Sequence, residues 1–509
     1  MANPDTRAAR AYHEETKHSL ESIRSTPHSL DWDNQPRPFK VYPDLPAIPL
    51  PGELQSSPRR VLEVVADAHG AGLPETPIER GLLAHLLYFA VGVVRHSRTP
   101  VGDVFYRAAA CTGNLHHIDL YVVCEELPDL AAGVYHFSPH DYALRLLRKG
   151  DHRALLVQAT AEQPDVVDAP ATIAFATTFW RNAWKYRARA YRHAFWDSGT
   201  MLANLLGVAA ARQVHARIVL GFADATVERL LDLDPRREAA LGLVPLGRRA
   251  TPPPPAPAVA PLALATLPLS KEEIDYPAIR EAHAAGNLSE PDEVRGWRRR
   301  ALASVDGATG GDAIELPPPS SGPSEAIEQV ILRRGSTRRF SHEPISLPAL
   351  ATVLHTATRG CPADFLASGA ERARHYLIAN AVRGLEPGAY LYDRDRHALV
   401  AVRRGEFRRE AAFLGLGQEI PGDAAVDLYW LTDLDPILEA LGNRGYRGAQ
   451  LEAAVGGGKT YLAAYALGLG ASGLTFFDDD VTRFFSPHAA GTSVMFLVSF
   501  GVPWRPHSR

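Results

Sequence analysis

Arg334, Ser336 and Arg338 stand at alternate positions in Arg334-Gly335-Ser336-Thr337-Arg338-Arg339-Phe340. On an extended backbone that spacing turns the three side chains to one side. A guanidinium grips phosphate or carbonyl oxygens with paired N–H donors, and a serine hydroxyl can donate to a further oxygen. Pro344-Ile345-Ser346-Leu347 follows and leads into Leu350, Leu354 and Ala357 at helical spacing, so a short loop and an amphipathic helix should position the basic segment. A second chemical stretch is Phe179-Trp180-Arg181-Asn182-Ala183-Trp184-Lys185-Tyr186-Arg187-Ala188-Arg189-Ala190-Tyr191-Arg192. So dense a mixture of aromatic and cationic side chains suits the face of a planar ring or planar substrate.

Other motifs lead nowhere. Gly456-Gly457-Gly458-Lys459-Thr460 lacks the first glycine of a phosphate loop, since Ala453 stands there, and it falls inside a long helical pattern. Asp478-Asp479-Asp480 lacks the glycine and downstream glutamate of a calcium loop and reads as acidic residues at a helix start. His116 and His117, read as neighbours on a strand, should face opposite ways and cannot share a metal. We expect no metal site, and no nucleophile elbow occurs.

The elements that must position these residues come in a chain of 509 residues, long enough for two or more cores. Hydrophobic residues make up 46% and charged residues 22%, ordinary for a globular protein, and a net charge of −4 gives no cause to expect a nucleic-acid partner. Cys111, Cys124 and Cys361 are too scattered for a disulfide framework, and the N-terminus is polar, so a soluble cytoplasmic protein is expected. The most apolar run, residues 81–94, is too short to span a bilayer and contains His85. Residues 1–60 read as an extended, proline-rich N-terminal arm. A first folded unit follows at 61–250, then proline-rich linkers around a helical segment at 251–323, and a second folded unit at 324–509.

The two units are repeats. Gly133-Val134-Tyr135 matches Gly388-Ala389-Tyr390, and Tyr191-Arg192 matches Tyr446-Arg447, at one offset of 255 residues. Tyr121 falls on Tyr376, Phe222 on Phe477 and Asp224 on Asp479 at the same offset, while Leu243-Val244-Pro245 matches Leu497-Val498-Ser499 one residue out of step. This is a tandem duplication rather than a solenoid. Each unit reads as an opening helix, a strand pair, a further strand, a long apolar helix and a closing strand, which is an α+β pattern.

A basic segment, loop and amphipathic helix in this order resemble the start of the FMN-binding nitroreductase fold, where an Arg-x-Ser-x-Arg grips the flavin ring oxygens and the ribityl-phosphate tail. The resemblance implies two fused nitroreductase-like domains, each a mixed or antiparallel sheet flanked by helices, forming an intramolecular pseudo-dimer. Arg334, Ser336 and Arg338 would bind the cofactor. Aligning Pro77-Ile78 with Pro344-Ile345 sets Asp67, His69 and Ala71 opposite them, so the first unit lacks the grip. That unit instead carries Ala110-Cys111-Thr112-Gly113-Asn114, similar to the Pro-Ser-x-x-Asn loop that packs on the isoalloxazine in this family, whereas the second unit has Leu366-Ala367-Ser368-Gly369 there. The surviving half-sites would combine into one FMN site between the units. The resemblance also implies that Gly473, Leu474 and Thr475, in a turn after the long helix, approach the flavin, and that Arg505 helps bind its phosphate.

Lys185-Tyr186-x-x-Arg189-x-Tyr191-Arg192 resembles the signature of the SagB/ThcOx-type dehydrogenases, as do Tyr12-His13-Glu14-x-Thr16-Lys17-His18-Ser19 and the arm from Asp31 to Lys40. What this implies is FMN-dependent oxidation of a peptidic or azoline-type substrate by hydride transfer to flavin N5, with Lys185 and Tyr186 as catalytic residues. Lysine serves as a base only where burial or nearby cations lower its pKa, and Arg181, Arg187 and Arg189 are the cations at hand. A cyclodehydratase or other biosynthetic partner is implied too, and the fused chain could pair again as a homodimer. The alternatives are an NAD(P)H-dependent nitro or quinone reductase, and a flavin-free peptide-binding scaffold.

Overall fold

Strands such as Ile118–Cys124 (Ile-Asp-Leu-Tyr-Val-Val-Cys) are buried along their whole length, as apolar runs are when both faces of a sheet are covered. The computed structural model describes residues 2–25, 28–66, 75–100, 102–248, 250–305, 313–322 and 325–505. Among these, the first unit holds a six-stranded sheet in the order Ala47–Pro49, Ala143–Lys149, Gly133–Ser138, Ile118–Cys124, Ala171–Thr178, Glu238–Leu246. The second holds a seven-stranded sheet in the order Gly470–Leu474, Ser493–Gly501, Val426–Thr432, Arg374–Ala379, Gly388–Asp393, Ala398–Arg404, Ala313–Glu315. Every neighbouring pair in both sheets is antiparallel. Leu120, Val122 and Cys124 pack into the large core shared by both units, whereas Tyr121 and Val123 face a smaller core with Leu156, Val227 and Leu230. The fold is α+β, two copies of one unit.

The proline-rich arm contributes its short strand Ala47–Pro49 to the edge of the first sheet, opposite Ala143–Arg145. A hairpin of Val93–Thr99 and Gly102–Arg107 stands apart from both sheets and was not expected from the sequence. Gly470–Leu474 is a strand beside the closing strand rather than the expected turn. Its first-unit counterpart makes only isolated bridges, Ala216 to Leu246 and Val219 to Leu243, which match Ala471 to Phe500 and Leu474 to Leu497. The offset of 255 therefore holds through Leu474. Beyond it the register changes: Arg444 lies over the Phe222 ring and Arg189 over Phe476, so Phe222 matches Phe476 rather than Phe477. By the same shift Asp224 matches Asp478, not Asp479, because one residue fewer joins strand to helix in the second unit.

Two long helices, Ala190–Ala211 and Gly445–Ala466, cross at the centre and are buried almost all round. A Cβ on Gly199 would stand 2.4 Å from Ala454 Cβ, and one on Gly458 would stand 2.6 Å from Ala203 Cβ. Gly456 and Gly457 lie under Trp430 and Phe496 in the same way. The glycine triplet is thus the packing surface of a helix, and Lys459 donates to the Gly360 carbonyl, 2.7 Å away. Buried ion pairs staple the units reciprocally. Asp478 of the second unit binds Arg189 and Arg192 of the first at 3.0 and 2.6 Å, and Asp224 of the first binds Arg444 and Arg447 of the second at 2.6 and 2.9 Å. The N-terminal helix Arg7–Glu15 closes over this seam: Tyr12 donates to the Ala188 carbonyl, and Thr16 Oγ1 accepts from Arg192 Nε.

Candidate active site

A cavity of about 410 Å³ opens between the units, within the range of about 300–1,000 Å³ that buries a drug-sized ligand. The first unit gives it Cys111, Thr112, Gly113 and Asn114, then Lys185 and Tyr186. The second gives Ser336, Arg338, Gly473, Leu474 and Thr475. Residues expected to act together from two halves of the chain therefore line one space. Two do not. Arg334 sits at the end of the helix Ile327–Arg333 and reaches across to the first unit, donating to the carbonyls of Arg107 and Ala108, each at 3.2 Å. Arg505 is exposed beyond Trp504, which stacks with Arg339, and lies outside the cavity wall. Asp67, His69 and Ala71 lie outside the described residues.

Local structure explains the placement. Thr337 N donates to the Ala471 carbonyl at 2.9 Å, seating the basic segment against the strand Gly470–Leu474 and sending Ser336 and Arg338 the other way. Thr112–Asn114 forms a single turn in which Gly113 has φ 65°. The Gly113 Cα faces the Tyr186 hydroxyl so closely that a Cβ would approach it to 2.9 Å. Lys185 and Tyr186 end the helix Phe179–Tyr186, which Trp180 anchors to Ser270 Oγ (2.7 Å) and Trp184 to the Asp31 carbonyl (2.9 Å). Arg187 then breaks the helix at φ 51°, ψ −139°, a conformation that its counterpart Gly442 adopts without a side chain. Strain of this kind costs about 1–3 kcal/mol and gathers at functional sites.

Burial, and next the Asp197 carboxylate, push the Tyr186 hydroxyl well above the ordinary phenol range. The cations expected around Lys185 are largely committed elsewhere, a correction to the sequence reading. Arg181 is buried against Asp119, and Arg189 is paired with Asp478. Lys185 Nζ lies 5.4 Å from the centre of the Tyr186 ring. His116 and His117 do take different partners, but just before the strand rather than on it: His116 pairs with the Phe105 carbonyl, His117 with Asp197.

The wall also holds residues that the sequence reading missed, His193, Trp196, Asp197 and Thr200. They fall at i, i+3, i+4 and i+7 on one long helix, so a polar stripe on an otherwise apolar helix was the available signal. His193 is 1% exposed; its Nδ1 meets Asn182 Oδ1 at 2.8 Å, its Nε2 has no partner, and burial holds its protonation well below the ordinary range. Tyr461, Gln418 and Phe496 complete the second-unit side. The Tyr461 hydroxyl accepts from Gly473 N, while Thr475 Oγ1 is buried without a partner.

The nitroreductase family model matches residues 73–248 and 331–501, most of both units. The chain belongs to the nitroreductase family. A solved structure of a nitroreductase-type protein from Anabaena variabilis resembles it over 98% of this chain and 99% of its own, with a TM-score of 0.77 and 27% identity. A nitroreductase-type protein of Methanocaldococcus jannaschii is 27% identical over 177 residues, 34% of this chain and 89% of its own length. The microcin B17-processing protein McbC of Escherichia coli is 27% identical over 134 residues, 25% of this chain and 49% of its own length. Among the described residues, no helix is long and apolar enough to cross a membrane.

Proposed function

We propose that the cavity between the units binds one FMN and that the chain dehydrogenates a peptidic, azoline-type substrate. The observation that carries this reading is the meeting in one cavity of the Cys111–Asn114 loop, Lys185 and Tyr186 from one unit with Ser336, Arg338 and Gly473–Thr475 from the other. The residues fit the cofactor. Tyr461, Trp196 and Phe496 offer aromatic walls, the unpartnered Thr475 hydroxyl and the small-residue loop suit a polar planar ring, and Ser336 with Arg338 suits a phosphate. FMN bound there supplies a hydride acceptor.

Dehydrogenation removes a hydride and a proton from adjacent ring atoms. We assign Lys185 Nζ, entering the step as a neutral amine, to take the proton. The Tyr186 hydroxyl, kept protonated by burial, donates a hydrogen bond to the substrate atom that gains charge. The arginines around the long helix play no direct part, since they hold the units together. The similarity to McbC supports a peptide substrate, as its name describes processing of microcin B17. The family match itself favours a second reading, reduction of nitro or quinone compounds at the expense of NAD(P)H.

Purified protein should be yellow and release about one FMN per chain. Lys185→Ala and Tyr186→Phe should keep the flavin and lose about 10²-fold or more in azoline turnover. Two FMN per chain would refute the composite site, and no flavin after reconstitution would refute the enzyme. Rapid bleaching by NAD(P)H alone, with no azoline turnover, would favour the reductase.

A further inference from the structure

Asp197 is the one acidic side chain among the described residues lining the cavity. It is 5% exposed, yet both of its oxygens are occupied. Oδ1 accepts from Thr112 N at 2.9 Å and from Thr112 Oγ1 at 2.7 Å. Oδ2 accepts from Cys111 Sγ at 3.1 Å and lies 2.8 Å from His117 Nε2. The Thr112 N–H, the Thr112 hydroxyl and the Cys111 thiol all donate to it, which is how a carboxylate is held. His117 is braced from behind, its Nδ1 lying 2.9 Å from Thr177 Oγ1. The three contacts to Cys111 and Thr112 pin the loop just before Gly113 turns beneath Tyr186.

Resting on the FMN reading above, we infer that Asp197 is the positioning residue of the composite site. It clamps the small-residue loop in place, and its buried charge lowers the reduction potential of the flavin held there. Reduction adds electron density to the ring, and a carboxylate in a poorly screened wall opposes that addition. Arg338 faces the same cavity with the opposite sign, so the potential is set by its balance with Asp197. The duplication provides a control. Glu452 holds the corresponding place on the second long helix and is also buried, but it accepts from Arg372 N at 2.5 Å and lines no part of this cavity.

The test is to measure FMN dissociation constants and midpoint potentials, without substrate, for full-length wild type, Asp197→Ala, Asp197→Asn and Glu452→Gln, with thermal melts to verify folding. Asp197→Ala frees the loop and should weaken FMN binding about tenfold or more, as expected for losing hydrogen bonds to a charged group. Asp197→Asn keeps an oxygen able to accept from Thr112, so FMN should bind within about threefold of wild type. Its flavin should shift about tenfold or more towards the reduced form, about 30 mV upward for a two-electron couple. Glu452→Gln should change neither quantity. Wild-type FMN affinity in Asp197→Ala would overturn the clamp. An unchanged potential in Asp197→Asn, or an equal shift in Glu452→Gln, would overturn the charge effect. Should Asp197→Ala fail to fold, Thr112→Val removes the hydroxyl arm alone, and unchanged FMN affinity there would overturn the clamp instead. Wild type that takes up no FMN would refute the cofactor reading itself, and this inference with it.

Discussion

Gly113 shows how closely one residue can control the cavity. Its φ of 65° is a conformation that an alanine adopts at a cost of about 1 kcal/mol. An alanine methyl would also stand 2.9 Å from the Tyr186 hydroxyl and 3.1 Å from its ring edge. Gly113→Ala should therefore lower the melting temperature by only a few degrees, about what 1 kcal/mol does in a chain of this size, while displacing the Tyr186 phenol and cutting turnover about tenfold or more. Parallel melting and turnover measurements check it; unimpaired turnover would mean that the position of Tyr186 does not matter. The family resemblance singled out Gly113, Lys185 and Tyr186, and all three line the cavity. Asp197 escaped because its partner Thr112 is 85 residues away, and only folding brings the two together.

Elements were legible to different degrees, for physical reasons. Long apolar helices and fully buried strands stand out as continuous apolar runs, and the repeat doubled each of them. The hairpin at Val93–Thr99 and Gly102–Arg107 alternates poorly and is mostly only half-buried, so its pattern resembles surface loop. The register change after Leu474 was invisible because aromatic and acidic residues occur at both Phe476-Phe477 and Asp478-Asp479, and only the arginine contacts choose between them. One second-unit element makes a pH-dependent prediction. Burial, followed by the nearby Glu371 charge, pushes the Glu452 carboxyl up to about 8. The folded chain thus keeps a proton that the unfolded chain releases above about pH 4.3, so stability is lost as pH rises from there towards about 8. Glu452→Gln removes that loss. Its melting temperature relative to wild type should be higher at pH 8 than at pH 5, and an equal difference at both would refute the buried-proton account.

At the level of the whole molecule, duplication has left two units that hold each other by exchanged charges. Each long helix begins with two arginines, Arg189 and Arg192 or Arg444 and Arg447, and each pair is met by an aspartate at a helix start of the other unit. Such pairs repay their desolvation only while both partners remain, and removing one leaves uncompensated buried charge. Asp478→Asn should therefore cost about 3–5 kcal/mol, while Asp479→Asn, whose partner Lys17 lies in a far more exposed pair, should cost about 1 kcal/mol or less. Acid supplies a second test of the same staple. Burial alone would raise the Asp478 carboxyl, but Arg189 and Arg192 outweigh it and hold the group at about 2. Its contribution is complete above the ordinary aspartate value of about 3.9 and is lost as pH falls from there through about 2. Wild type should lose more melting temperature than Asp478→Asn over that interval, because the variant has no such contribution left to lose. Parallel acid profiles would mean that the staple carries no net stability, and the seam would then rest on the apolar crossing of Gly199 with Ala454 and Ala203 with Gly458.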